Sequence, residues 1–191
     1  FRSLRRAIVS RKRLLDIDEL PLAVVHSHPD WLYNRWKAEF GKSATIRLME
    51  WDNTPAENYF CLNPLAPSTP DLSTFTPVEK APGFYELEGA PPSRLLVAGE
   101  IYIQDPATRH AVDLLAPKPG ERVLDACAAP GGKAFLIAAA LGSAENLLCT
   151  DSNEKRLPRL QENLARLHAG NAETAVHDWT KPAPEKWHGA F

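Results

Sequence analysis

At 191 residues, 44% of them hydrophobic, the chain is long enough for one full domain, or for a small domain plus part of another. No apolar run approaches the roughly 18–20 residues that a membrane-spanning helix needs, and no charged-then-apolar leader is present, so a cytoplasmic protein that makes no use of a membrane is expected. The net charge of −2 is unevenly spread: residues 1–13 carry six cations (Arg2, Arg5, Arg6, Arg11, Lys12, Arg13) and no acid, which leaves −8 on residues 14–191.

The basic start is a candidate phosphate-contact patch, because each neutralised phosphate releases counterions; a solvated helix end is the competing reading. Leu4, Ile8, Leu14 and Leu15 among the arginines predict a helix over Phe1 to Leu20, a connector or the end of a preceding helical domain. Phe1 is not a translation start and Met49 is the sole methionine, so the chain is expected to be a piece of a longer protein. A second helix is expected after Pro29, with Leu32, Trp36 and Phe40 at helical spacing, its aromatics in the core and Gly41 as the stop. Residues 44–103 mix strand-like runs (Thr45 to Met49, Tyr59 to Leu62, Phe84 to Leu87, Tyr102 and Ile103) with proline-rich loops, which suggests a small α+β module over 21–103.

From Gln104 the pattern alternates. Helix is expected over Pro106 to Leu115, strand over Arg122 to Cys127, helix over Ala134 to Leu141 and strand over Asn146 to Thr150. A leucine-striped helix (Leu157, Leu160, Leu164, Leu167) starting near Pro158 and a weak strand over Glu173 to His177 complete the set. Strand, helix, strand, helix, strand is one half of a doubly wound parallel sheet, so the fold class is α/β, with residues 104–191 an incomplete Rossmann-like domain.

The informative stretch is L-D-A-C-A-A-P-G-G-K, residues 124–133. In such a sheet the ligand binds beyond the carboxyl end of the first strand, where a loop of small residues lets backbone approach it and the next helix points its positive end at an anion. The pattern is not G-x-G-x-x-G and lacks the triphosphate-loop signature, which leaves a ligand with an adenosine and a carboxylate. About 20 residues on, Asp151 ends the second strand, where an acid accepts hydrogen bonds from ribose hydroxyls; capping the turn at Asn153 is the alternative. His177-Asp178-Trp179 closes the third strand, within reach of an adenine amine.

The run D-A-C-A-A-P-G-G-K resembles the cofactor-binding motif of the RsmB/Sun (Fmu) family of RNA 5-methylcytosine methyltransferases. H-S-H-P-D-W-L-Y-N-R-W (26–36), G-E-I-Y-I-Q-D-P-A-T (99–108) and C-T-D-S-N-E-K-R-L-P-R-L-Q-E-N-L-A-R-L (149–167) are similar to flanking segments of that family, so the likeness spans about residues 20–190. The resemblance implies a Rossmann-like methyltransferase domain that binds S-adenosylmethionine. Cys127, Ala128, Ala129, Pro130, Gly131, Gly132 and Lys133 would wrap the methionine part, Asp151 the ribose and Asp178 the adenine end. It further implies cytosine carbon-5 methylation in RNA, ribosomal RNA above all, by a monomer in which a cysteine thiolate adds to carbon 6 of the ring.

The family's working cysteines lie in D-A-P-C and T-C-S segments, which this sequence lacks, so the nucleophile is expected beyond Phe191. Cys61, Cys127 and Cys149 are expected to be inert, and their odd number without C-x-x-C pairing argues against a disulfide framework or a zinc site. The histidines show no metal spacing either. Two other readings stay open: a non-catalytic RNA-binding piece, and a Rossmann methyltransferase acting on a small molecule or protein.

Overall fold

The computed structural model describes residues 20–191, which fall into compact units divided between Ala56 and Glu57. The expected helix and basic cluster of residues 1–19 lie outside the described residues. The expected module boundary at Gln104 lies inside the second unit.

In the first unit a short helix, α1 (Leu22–Val25), precedes α2 (Asp30–Phe40) and α3 (Lys42–Asp52). Gly41 joins the last two at φ 78, a backbone state that costs glycine little. The strand expected over Thr45 to Met49 is instead the middle of α3. Thr45 returns its hydroxyl to the Gly41 carbonyl at 2.9 Å, and Thr45 and Met49, four residues apart, share the buried face. The aromatics of α2 are not core: Trp31 is 65% and Phe40 50% exposed, and no α2 residue is fully buried. A two-helix pairing covers one side of each helix only, and among the described residues of this unit no further layer covers the other. His28 ties the ends of the unit together, with Nε2 2.9 Å from Asp52 Oδ2.

The second unit holds two sheets. Strands β1 (Tyr59–Leu62), β2 (Phe84–Glu86) and β3 (Ile101–Ile103) form an antiparallel sheet in the order β2-β1-β3. Its core is Phe60, Leu72, Leu87, Leu95 and Ile101, the last two flanking the exit of α4 (Ser93–Val97), with Phe60 edge-on to Phe75 at 4.9 Å.

After α5 (Thr108–Leu115), the strands β4 (Val123–Asp125), β5 (Leu147–Asp151) and β6 (Glu173–Val176) run parallel in the order β4-β5-β6. All five residues of β5 are buried, as expected for a strand flanked on both edges. Helix α6 (Gly132–Leu141) links β4 to β5 and presses Ala134, Ile137, Ala138 and Leu141 onto the sheet. Helix α7 (Leu157–Arg166) links β5 to β6 after a single 3₁₀ turn, Glu154–Arg156, and buries Leu160 and Leu164. This is the α/β parallel arrangement of a Rossmann-like half-sheet. Near the start of β4 the Phe191 ring lies against the Arg122 guanidinium.

A third cluster of Cys61, Ala81, Phe84, Phe135 and Leu167 joins the antiparallel sheet to α6 and the end of α7. Beside it the buried Asn63 amide donates to the carbonyls of both Gly99 (2.7 Å) and Leu167 (2.9 Å), while its Oδ1 accepts from Leu65 N–H. A buried amide satisfied on both sides fixes the antiparallel sheet against the end of α7.

Candidate functional site

β4 and β5 end side by side on acids, at Asp125 and Asp151. Both residues are buried, 7% and 2% exposed. Asp125 Oδ1 accepts the Cys127 N–H at 3.2 Å, and Asp151 Oδ1 accepts the Asn153 N–H at 3.0 Å. The second oxygen of each is buried without a hydrogen-bond partner among the described residues. Asp151 Oδ2 does lie 3.2 Å from Arg156 Nη1, an ion pair not aligned as a hydrogen bond. Burial raises the Asp125 pKa, opposed by the Cys127 N–H bond and the Lys133 charge, while the Asp151 charge adds a smaller rise. A buried acceptor without a donor costs folding free energy, so Asp125 Oδ2, together with Asp151 Oδ2 whose one partner is the Arg156 ion pair, marks a place for a ligand that donates hydrogen bonds.

The loop between β4 and α6 is braced from several sides. The Thr150 carbonyl accepts the Ala128 N–H at 2.8 Å, Arg156 Nη2 donates to the Ala129 carbonyl at 2.6 Å, and Asn163 Nδ2 donates to the Pro130 carbonyl at 2.8 Å. The Thr150 hydroxyl donates to the Asp125 carbonyl at 3.3 Å and accepts the Trp179 indole N–H at 2.7 Å. Gly131 sits at φ 112, where a Cβ would also press on Leu160 at 3.1 Å. At Gly132 a Cβ would lie 2.7 Å from Gln104 Nε2. At Gly131 the backbone state itself thus favours glycine, whereas at Gly132 a side chain would have to push the Gln104 amide aside.

The structure therefore brings Cys127 to Lys133 and Asp151 together around Asp125. Ala128 and Ala129 are buried within the loop, whereas Cys127, Pro130 and Lys133 are exposed. Asp178 stands apart on the surface after β6, accepting the Thr180 N–H (2.9 Å) and hydroxyl (2.7 Å), which lower its pKa. Asp125 was legible as an acid closing the first strand but was not singled out from sequence; Thr150, Arg156, Asn163 and Trp179 act through contacts that spacing does not reveal. Burial pushes the thiols of Cys61 and Cys149 up to about 12, while Cys127 is exposed. Among the described residues no group of histidine, cysteine and acid could hold a metal ion, and no helix is long and apolar enough to cross a membrane.

Residues 112–191 match the family model described as 16S rRNA methyltransferase RsmB/F. Over this segment the chain is similar to the RsmB/F methyltransferases. Over 95% of its length the chain is 28% identical to the "Probable ribosomal RNA small subunit methyltransferase B" of Synechocystis sp., covering 44% of that protein. It is 42% identical to the ribosomal RNA small subunit methyltransferase B of Yersinia pseudotuberculosis over 91 residues, 48% of this chain and 20% of that one. A crystal structure of a methyltransferase homolog protein from Pyrococcus horikoshii superposes with a TM-score of 0.67 at 26% identity, over 85% of this chain and 56% of that one. The chain spans less than half the length of these curated relatives. The braced loop and the acid-ended strands fall within the RsmB/F-matched residues, and the parallel sheet that carries them is that of a Rossmann-like methyltransferase.

Proposed function

We propose that this chain carries the S-adenosylmethionine site of a methyltransferase that modifies carbon 5 of cytosine in RNA, ribosomal RNA in the first place. The observation that carries this reading is the pair of buried, half-satisfied carboxylates at Asp125 and Asp151, beside a loop of small residues. The donor set fits the group. Asp151 would take ribose hydroxyls, Asp125 and the loop Cys127–Lys133 the amino-acid end, and Asp178 the rim near the adenine. The first turn of α6 adds unpaired N–H groups and a positive dipole end suited to a carboxylate. When bound, the cofactor supplies a methyl group activated by its sulfonium.

The residues of this chain bind and orient in this reading; they do not attack the base. Thiols held near 12 by burial are almost wholly protonated at neutral pH, which disqualifies Cys61 and Cys149 as nucleophiles. Cys127 lies in the loop and is assigned to cofactor contact. Methyl transfer from labelled S-adenosylmethionine to structured RNA, followed by nucleoside analysis, tests the reading on a protein that contains this chain. Label in 5-methylcytidine is the expected result; label in adenosine or in protein would contradict it.

A further inference from the structure

A cleft of about 570 Å³ runs along the seam between the antiparallel sheet and α7. One wall is Val97, Tyr102 and Ile103; the other is Pro130, Arg159 and Arg166. Val97 is 78% and Ile103 41% exposed, large fractions for β-branched side chains with no partner of their own among the described residues. The charged residues lining the cleft are both arginines, and no carboxylate lines it, although residues 14–191 together carry −8. Arg166 is fixed: its guanidinium lies 5.7 Å from the Tyr102 ring centroid and donates to the Leu96 carbonyl at 2.8 Å. Arg159 is 70% exposed and, among the described residues, ion-paired only with the equally exposed Glu162 at 3.6 Å, a contact of little worth in water. The Asn63 staple and the Phe84–Phe135–Leu167 cluster hold the two walls in one arrangement.

From this we infer that the cleft seats a single-stranded segment of the RNA substrate, an unstacked base lying against Val97, Tyr102 and Ile103 and its phosphate meeting Arg159. This rests on the methyltransferase reading above and adds to it a route by which RNA reaches the cofactor loop, since Pro130 belongs to both. An apolar and aromatic floor with a cationic rim suits a base face and a backbone phosphate together; a duplex hides its base faces and offers only the phosphate. The preformed walls mean that the RNA, not the protein, gives up conformational freedom on binding.

Fluorescence anisotropy with a labelled single-stranded RNA oligonucleotide tests the assignment on the full chain. Arg159→Glu and Val97→Glu are each expected to raise Kd by about fivefold or more, and Arg159→Glu also to flatten the salt dependence by about one phosphate contact. Both substitutions are at exposed side chains, and Lys118→Glu, in the turn before β4, serves as a charge-matched control expected to bind as the parent does. Parent-like binding by both cleft variants, an equal loss in Lys118→Glu, or equal affinity for the same sequence as a duplex would overturn the inference. S-adenosylhomocysteine titrated into the same proteins separates the two readings. Cofactor binding retained with RNA affinity indifferent to the cleft variants sinks the cleft alone, whereas a parent chain that binds RNA through the cleft but not the cofactor counts against the proposed function.

Discussion

Asp125 is held in a state that folding alone does not favour. Its raised pKa means that the native carboxyl keeps its proton more tightly than the unfolded one, so protonation favours the folded chain. The stability owed to that proton is present at low pH and is lost as pH rises through the native pKa. Asp125→Asn keeps an oxygen for the Cys127 N–H and removes the charge. It is expected to raise the melting midpoint at neutral pH by about 2–4 °C, the shift that follows from about 1 kcal/mol in a chain of this size. The gap should close on acidification, and cofactor affinity should fall. A midpoint lowered at neutral pH would show that the charge is already balanced in the ligand-free protein. Asp151→Ala should weaken S-adenosylhomocysteine binding by about 1–3 kcal/mol in calorimetry, the scale of stranding polar groups. Unchanged affinity would reduce Asp151 to a cap for Asn153. The thiols give a third check: a disulfide reagent at neutral pH should titrate Cys127 rapidly and reach Cys61 and Cys149 only after denaturation.

Among the elements, the seam between the sheets is the most sensitive point. Gly99 sits at φ 69, and a Cβ there would lie 1.8 Å from the Arg166 carbonyl oxygen. Gly99→Ala must therefore shift backbone or break the Asn63 staple, at a cost of about 3 kcal/mol or more in denaturant unfolding. A loss below about 1 kcal/mol would mean that the two sheets are only loosely joined. The elements of the parallel sheet were legible because their signals are local: a buried run into Asp125, a small-residue loop, an alanine-rich helix, and a leucine stripe starting at Pro158. The run Thr45 to Met49 misled because its alternation mimics a strand, while the features that make it a helix are Gly41 and a partner helix beside it. Helix α4, five residues long, carries too little periodicity to be read. The bracing of the loop by Arg156, Asn163 and Trp179 joins residues 27 to 33 positions apart, and no spacing rule reports such contacts.

Taken whole, the described residues combine a half-sheet that ends in orphaned carboxylates with an antiparallel sheet locked to its helical face. The first arrangement suits a small donor of hydrogen bonds; the second lines a cleft with arginines on an acidic body. The identity of the small ligand is the claim on which the proposed chemistry depends, and it is open to one comparison. Isothermal titration of the chain with S-adenosylhomocysteine, a nicotinamide dinucleotide and adenosine triphosphate, each also against Asp151→Ala, measures it directly. Saturable binding of S-adenosylhomocysteine alone, weakened by the substitution, is the expected result; tighter binding of the dinucleotide or the triphosphate would contradict it.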